Sequence, residues 1–453
     1  MVNLPGLLAR AARSLKVNVA LVRAFRRSPM DFLDVLVASG AGRTPLRMGP
    51  ERVLLVDDAT QVWDLLTTHA RRTGKGRGLA RARLLLGEGL LTSEGDKHLR
   101  HRRALQPAFH AQRIANYEAR FARAARHAAD RWSDGGDIDL VAEMSAMTLD
   151  GAGTALFGSD LRAPAPQITR ALTSLLAGFR LAMAPGGPTL LRSPLPVAIR
   201  VRSAKAELEE VVDDLIRGRW AGEPPPGSVL DLLASQPELT DGQVRDEVMT
   251  LLLAGHETTA MALTWALAAI DQAPAVRADL EAEWDAQPEA RQLGELVEAL
   301  PLTMAVLAET LRLWPPSWMF SRRVLEPVVL GGRTVQVGTM CLVSPALLHR
   351  DPRWWAEPDR FRPDRWLRRA PGKADRFDPK SPGQPRGAYL PFGAGPRMCI
   401  GEQFAWSEAA SMLAELGRTW RLRVYDTPLA AGRSSMTLRP NGPVRAMTLQ
   451  RTS

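Results

Sequence analysis

Residues 392–401 read FGAGPRMCIG, and this stretch decides how the rest of the chain is interpreted. Its glycines at 393, 395 and 401 allow close backbone turns that a side chain would block. The amphipathic segment that follows, 402–420, predicts a helix, which places Cys399 just before a helix N-terminus. The positive end of the helix dipole is expected to lower the pKa of the thiol and to favour a thiolate. The stretch therefore predicts an anionic sulfur in a glycine-rich loop.

Composition and cysteine usage limit the classes of protein to consider. Hydrophobic residues make up 45% of the 453 residues and charged residues 24%, so a sizeable core is expected and disorder is excluded. The two cysteines are too few for a disulfide scaffold and favour a reducing, cytoplasmic location. Cys341 lies in no motif, so it is interpreted as a small buried apolar residue.

The net charge of +10 is spread along the chain rather than gathered in one tail. This distribution favours an acidic protein partner and no nucleic acid. Near the N-terminus, Arg10, Arg13 and Lys16 interrupt the apolar residues, so neither a signal peptide nor a transmembrane anchor is predicted. An ordinary first helix is favoured there over a basic helix that rests on a membrane surface.

Residues 248–270 form an apolar run that is long enough to cross a bilayer. A lipid-facing carboxylate would be costly at its centre, so a buried helix is favoured. The sequence TDGQ at 240–243 is typical of a capping box and predicts where this helix begins. The run therefore predicts one long core helix with a central polar patch, formed by His256, Glu257, Thr258 and Thr259.

The pattern of the whole chain predicts one domain, 1–453, that is mainly α with a small β subdomain. A long segment with many Pro, Trp and Arg residues, 350–398, exceeds ordinary connections and indicates that something large, such as a cofactor, holds it. We expect helices over about 95–320 and 402–420, and strands over about 40–70, 322–345 and 433–450.

Glu309-Thr-Leu-Arg312 places a carboxylate and a guanidinium three residues apart on one helix face. Alone, such a pair is usually a surface salt bridge. Downstream, residues 361–366 read FRPDRW.

The run F-x-x-G-x-R-x-C-x-G at 392–401 resembles the haem-binding loop of cytochrome P450 monooxygenases. The motifs at 254–259, 309–312 and 361–366 and the segment GDKHLRHRRALQPAF at 95–109 extend the resemblance over most of the chain, in the right order. The resemblance implies the cytochrome P450 fold, with haem b between the long central helix and the Cys399 loop. It also implies that one oxygen atom of O₂ is inserted into a substrate.

The resemblance implies roles for the residues around the haem. Cys399 would be the axial iron ligand, in a loop that includes Phe392, Gly393 and Gly401. Many relatives have Trp where His98 stands, which leaves a role at a haem propionate plausible. The residues implied to bind the propionates are His98, Arg102, Arg397 and Arg322, with Arg323 as the near alternative to Arg322.

Further roles follow from the same resemblance. Ala254 and Gly255 would let the flat cofactor and O₂ approach the helix backbone, Thr258 would act on the bound oxygen, and Glu257 would relay protons. The ion network that supports the Cys399 loop would consist of Glu309, Arg312 and Arg365, with Arg360 as the alternative to Arg365.

The expected substrate is a hydrophobic small molecule, with a terpenoid favoured over a fatty acyl, steroid-like or macrolide-like compound. With no fused reductase domain in the sequence, electrons would come from a ferredoxin and its NAD(P)H-linked reductase. Two alternatives are a peroxide-dependent haem-thiolate enzyme and a haem-binding sensor or sequestering protein without turnover. The tentative pocket residues are Leu253, Trp318, Met319, Phe320 and Met436.

Overall fold

The structure is a computed structural model, and it describes residues 4–42, 44–49, 51–183, 186–218, 228–286, 296–368, 375–380, 383–425 and 436–452. Within the predicted loop segment and the predicted β-like tail, residues 369–374, 381–382 and 433–435 lie outside the described residues.

Helices dominate the described residues, as the apolar spacing of three and four predicts. They are α1 (Leu4–Arg27), α2 (Pro29–Ala38), α3 (Ala59–Leu66), α4 (Arg77–Leu86), α5 (Gly95–Leu105), α6 (Ala111–Ala129), α7 (Leu140–Ala152), α8 (Ala165–Met183), α9 (Gly187–Arg192), α10 (Pro196–Ile216), α11 (Val229–Ala234), α12 (Asp241–Asp271), α13 (Pro274–Asp285), α14 (Leu296–Ala299), α15 (Pro301–Leu313), α16 (Pro345–Leu348) and α17 (Glu402–Thr419).

The strands form small sheets at the edge of the helical body. They are β1 (Leu46–Met48), β2 (Glu51–Leu55), β3 (Thr73–Lys75), β4 (Asp137–Asp139), β5 (Phe320–Val324), β6 (Val328–Leu330), β7 (Arg333–Val335), β8 (Met340–Val343), β9 (Leu367–Arg368), β10 (Arg376–Phe377), β11 (Trp420–Val424) and β12 (Arg445–Gln450). The largest sheet has the order β1-β2-β8-β5-β3, and β11-β12-β4 form another.

The mainly helical fold with a small β portion is confirmed, including the strands within 322–345 and the helix that follows the Cys399 loop. Strands β4 and β11 were not predicted, and the region of β4 was expected to be helical. Both are short, and they are held by pairing with the distant strand β12 rather than by a local pattern.

Helix α12 crosses the core and positions the site. Its capping box is confirmed, because the Thr240 side chain accepts from the Gln243 backbone N–H and the Gln243 side chain accepts from the Thr240 N–H. The helix packs against α7, α10, α15 and α17. The apolar run 248–270 is almost entirely buried by these neighbours, as predicted. Among the described residues, no helix has the length and apolarity that crossing a membrane requires.

Candidate functional site

The Cys399 loop is closed by backbone hydrogen bonds. The Cys399 N–H donates to the Phe392 carbonyl at 2.9 Å, and the Met398 N–H donates to the Gly395 carbonyl at 3.0 Å. Gly395 has a φ of +71°, and a Cβ there would lie 2.1 Å from the Leu66 carbonyl oxygen. Gly401, with a φ of −91°, needs no such freedom, contrary to our expectation. The close turn therefore depends on Gly395 rather than on Gly401.

The pKa of the Cys399 thiol does not follow the expectation from the helix terminus. Desolvation by the surrounding protein raises its pKa to about 11, although the side chain retains an exposed surface. A hydrogen bond from the Gly401 backbone and the charge of Arg102 oppose the rise, whereas Glu402 in the first turn of α17 adds to it. Desolvation therefore outweighs the two groups that favour the thiolate. A bound metal cation deprotonates a coordinating thiol, so this loop fits a metal-bound sulfur.

Helix α12 has one opening in its buried surface. Between Glu247 and Ile270, only Ala254, Gly255 and Thr258 are not fully buried. Ala254 and Thr258 are four residues apart and share a helix face, and the Thr258 Oγ1 donates to the Ala254 carbonyl at 2.7 Å. The opening therefore presents a methyl group and a hydroxyl.

Gly255 lies on a different side of α12 from this opening. A Cβ at Gly255 would lie 3.6 Å from the Ala152 Cβ and 3.9 Å from the Leu156 side chain. The missing side chain thus faces α7 and the turn that follows it, where a small residue favours close helix packing. The role of Gly255 beside the cofactor stays a prediction.

Glu257 is held by the segment that precedes β12. The Thr437 Oγ1 donates to the Glu257 Oε1 at 2.9 Å, and the Arg439 Nε lies 3.1 Å from the same oxygen. Glu257 is buried, whereas the Arg439 side chain is 25% exposed. This arrangement connects the centre of α12 to the protein surface through a carboxylate and a guanidinium.

Basic side chains gather where the Cys399 loop meets the largest sheet. Arg397 donates to the Ala70 carbonyl at 3.1 Å and to the Thr73 carbonyl at 2.9 Å, and Arg102 donates to the Met398 carbonyl at 2.8 Å. Among the described residues, these cations have no carboxylate within 4.0 Å. We call the group the cationic cluster; its members are Lys75, His98, Arg102, Arg322 and Arg397.

Burial and mutual repulsion perturb the cationic cluster. Desolvation and then the charge of Arg397 lower the pKa of Lys75 to about 7 and that of Arg322 to about 10. Desolvation and then the charge of Lys75 lower the pKa of His98 to about 4. Lys75 and Arg322 are buried, whereas Arg102 and Arg397 are half-buried, and buried cations are costly unless an anion joins them. Arg322 is buried and Arg323 is exposed, so only the former belongs to the cluster.

These features fit the haem that the resemblance implies. Its iron would take the Cys399 sulfur, its carboxylates would neutralise the cationic cluster, and the opening at Ala254 and Thr258 would face it. Phe392 supports the loop from behind, with its ring 5.6 Å from that of Trp406.

The ion network around Glu309 is buried. Arg312 donates to both Glu309 oxygens, at 2.8 and 2.9 Å, and the Arg365 Nε donates at 3.1 Å. The Arg360 side chain instead pairs with Glu357. Arg312 also donates to three carbonyls of the long loop segment, those of His349, Pro358 and Arg360. The network therefore ties α15 to the segment that leads into the Cys399 loop.

The tentative pocket residues divide between two hydrophobic clusters. Leu253 and Trp318 are buried in the main core, against which Met319 and Met436 pack. Phe320 packs in the smaller cluster under the largest sheet, and the Arg322 guanidinium lies over its ring at 5.1 Å. The structure thus separates Phe320 from the other four by the cluster it packs against, and the pocket itself stays a prediction.

Sequence reasoning missed Lys75, Thr437 and Arg439. No motif marks them, since each meets its partners through tertiary contacts over long sequence separations.

Comparisons with known proteins give a family and several relatives for the chain. The family profile "Cytochrome P450" matches residues 44–443. The chain is 38% identical to cyclooctatin synthase from Streptomyces melanosporofaciens, over 92% of this chain and 91% of that protein. It is 31% identical to pentalenene oxygenase from Streptomyces avermitilis, over 88% of each.

Solved structures show the same fold. A six-coordinated cytochrome P450 from Thermus thermophilus is 28% identical and superposes with a TM-score of 0.70, covering 93% of this chain and 98% of that one. The haem domain of cytochrome P450DA is 26% identical, with a TM-score of 0.78 and 93% of both chains covered. With the profile spanning most of its length, the chain belongs to the cytochrome P450 family of haem-iron monooxygenases.

Proposed function

We propose that this monooxygenase inserts one oxygen atom of O₂ into a terpenoid, with haem b bound through Cys399 and electrons delivered by a ferredoxin. One observation carries the proposal: the face of α12 that Ala254 and Thr258 share is open, beside an acid, Glu257, that is linked to the surface. An enzyme that consumes O₂ and protons needs both an opening on the core helix and an acid that is linked to solvent. A protein that only sequesters haem needs neither.

Each residue has a defined task in this proposal. Bound haem supplies the activation of O₂, which no amino-acid side chain provides. Cys399 holds the iron, and the cationic cluster orients the haem through its carboxylates. The Thr258 hydroxyl holds a proton at the opening, and Glu257, which Arg439 holds in place, transfers protons inward from solvent. Leu253, Trp318, Met319 and Met436 supply apolar surface that excludes water from the substrate.

The terpenoid assignment is supported by relatives rather than by the pocket itself. Cyclooctatin synthase, cyclooctat-9-en-7-ol 5-monooxygenase and pentalenene oxygenase match at 38%, 37% and 31% identity. An apolar pocket would also accept a fatty acyl chain, so the choice between the two is made by the ligand screen described below.

The electron donor is an acidic ferredoxin, reduced by an NAD(P)H-linked reductase in the cytoplasm. The net charge of +10 supports this choice, because opposite charge speeds the encounter of two proteins. Raising the salt concentration should therefore slow the first electron transfer. A rate that does not respond to salt would contradict electrostatic docking.

The experiment begins with the purified protein and its reduced, carbonyl-bound absorption spectrum. Wild type and Cys341→Ala should give the thiolate-type spectrum, and Cys399→Ser should not. Terpenoids and fatty acids are then screened for shifts of the Soret band, and a shifting ligand is incubated with ferredoxin, reductase and NADPH. Oxygenated terpenoid supports the proposal, whereas ligand binding without product would indicate a sensor. Product formed with hydrogen peroxide but not with NADPH would indicate a peroxide-dependent enzyme.

A further inference from the structure

Lys75 and Arg322 are direct cross-strand partners in the antiparallel pair of β3 and β5. Both side chains are buried, at 8% and 7% exposed. Directly opposed residues project from the same face of a sheet, and like charges in that position destabilise the pair. A sheet that folds with two buried cations directly opposed needs a negatively charged group nearby to offset their repulsion and desolvation.

The protein itself provides little compensation for Lys75. The Lys75 Nζ donates to the Leu90 carbonyl at 2.8 Å, which is a neutral acceptor. The carboxylate of Glu94 accepts from the Lys75 backbone N–H rather than from its ammonium. Glu247 is already in contact with His101 and accepts from the Leu90 N–H at 3.0 Å. Among the described residues, no carboxylate lies within ion-pair distance of the ammonium group.

Strand β3 also connects Lys75 to the Cys399 loop. The Arg397 guanidinium, two residues before the cysteine, donates to the carbonyl of Thr73 in the same strand. Lys75, Arg322 and Arg397 are thus brought to one place by β3, β5 and the loop. Their charges also act on one another, since each lowers the pKa of at least one other member of the cluster.

We propose that Lys75 is a haem-binding residue whose ammonium group, together with Arg322 and Arg397, holds a carboxylate of the haem. The proposal rests on the proposed function, because it requires that haem binds at Cys399. The two haem carboxylates provide the negative charge that the buried cations lack. Charge-assisted hydrogen bonds of this kind are stronger than neutral ones, and burial strengthens them further.

The test compares holoproteins that carry Lys75→Met, Lys75→Arg and the control Lys205→Met. Lys205 is a lysine of α10 that pairs with Glu209 on the same helix, so its removal does not touch the cluster. One readout is the rate of haem transfer to excess apomyoglobin. The other is the propionate bending band in the resonance Raman spectrum, which responds to hydrogen bonds at the haem carboxylates.

Lys75→Met should lose haem on the order of 10-fold faster than wild type, because a buried hydrogen bond between charged groups is removed. Its propionate band should shift while its thiolate-type carbonyl spectrum is retained. Lys75→Arg should restore most of the retention, and Lys205→Met should match wild type in both readouts.

Three results would overturn the inference in distinguishable ways. Haem loss from Lys75→Met at the wild-type rate would overturn it and leave the proposed function intact. Faster loss without a shift of the propionate band would assign Lys75 a packing role, which also overturns it. A wild-type protein that binds no haem would overturn the proposed function and this inference together.

Discussion

Arg439 and Glu257 form an ion pair across 182 positions of sequence, with the Arg439 Nε 3.1 Å from the Glu257 Oε1. The carboxylate end is buried and the guanidinium end is partly exposed. The segment that carries Arg439 is fixed at the preceding residue, Leu438. The Leu438 N–H donates to the Pro316 carbonyl at 2.9 Å, and the Trp265 indole donates to the Leu438 carbonyl at 3.2 Å.

Arg439→Met should destabilise the holoprotein by roughly 1–3 kcal/mol, because Glu257 would remain buried without its cation. Urea unfolding followed by circular dichroism measures the change. The control is Arg445→Met, which removes an exposed pair with Asp137 and should leave the midpoint unchanged. Equal midpoints for both variants and wild type would mean that the buried pair contributes nothing to stability.

Gly395→Ala should abolish haem binding, whereas Gly393→Ala should be tolerated. Both glycines have positive φ values, of +71° and +75°, so alanine is strained by about 1–2 kcal/mol at either site. Only at Gly395 would the new Cβ also clash, with the Leu66 carbonyl; at Gly393 no atom lies within 4 Å. The haem absorbance per protein measures the outcome. Similar haem content in the two variants would show that the clash is relieved by loop movement.

Thr258→Val should lower the yield of product per NADPH by about 10-fold or more, because the hydroxyl at the opening of α12 is lost. Thr264→Val is a matched control: its hydroxyl donates to the Ala260 carbonyl at 2.8 Å in the same helix, but the residue is fully buried. Product and released hydrogen peroxide are measured together. If Thr264→Val lowered the yield of product per NADPH as strongly as Thr258→Val, the effect would be due to helix distortion.

His349 should make the protein sensitive to acid. Desolvation, and then the charge of Arg312, lower its pKa to about 3, and its ring bridges the Leu311 carbonyl and the Leu390 N–H. The native state therefore holds neutral histidine, while the unfolded state takes up a proton below about pH 6.5. Stability is fully present above that pH and falls by about 1.4 kcal/mol per pH unit below it, down to the folded pKa.

The measurement is urea unfolding at a series of pH values from neutral pH down into the acidic range in which stability falls. His349→Gln should be less stable near neutral pH, because the bridge is weakened. Its stability should, however, fall less steeply than that of wild type as the pH is lowered. His110→Gln, at an exposed histidine, should keep the wild-type slope. An unchanged slope in His349→Gln would assign the acid sensitivity to other groups.

Local sequence predicted the parts of this site that are local in the chain. The Cys399 loop and the capping box at Thr240 each depend on residues within one or two turns. The fold class followed because the motifs occur in order over most of the chain. The pairing of Glu309 with Arg312 was also available, since three residues separate them on one helix face.

Features that depend on orientation were not predictable in the same way. Gly255 and Ala254 are adjacent in sequence, yet the helix turns one toward α7 and the other toward the opening. Phe320 follows Met319 directly, and strand alternation sends the two side chains into different clusters. Strand β3 has only three residues, so the role of Lys75 depends on its register with β5, which the sequence does not specify.

The three carbonyls that Arg312 binds have a consequence for how the chain tolerates changes in length. The Arg312 side chain donates hydrogen bonds to the carbonyls of His349, Pro358 and Arg360 at once. An added or deleted residue between them would therefore move at least one carbonyl out of hydrogen-bond distance. Gly332, at the tip of the β6–β7 hairpin, has open space around it and no such constraint. Fusion tags or reporter domains intended for this protein therefore belong at that hairpin, and the stretch from 349 to 360 has to keep its length.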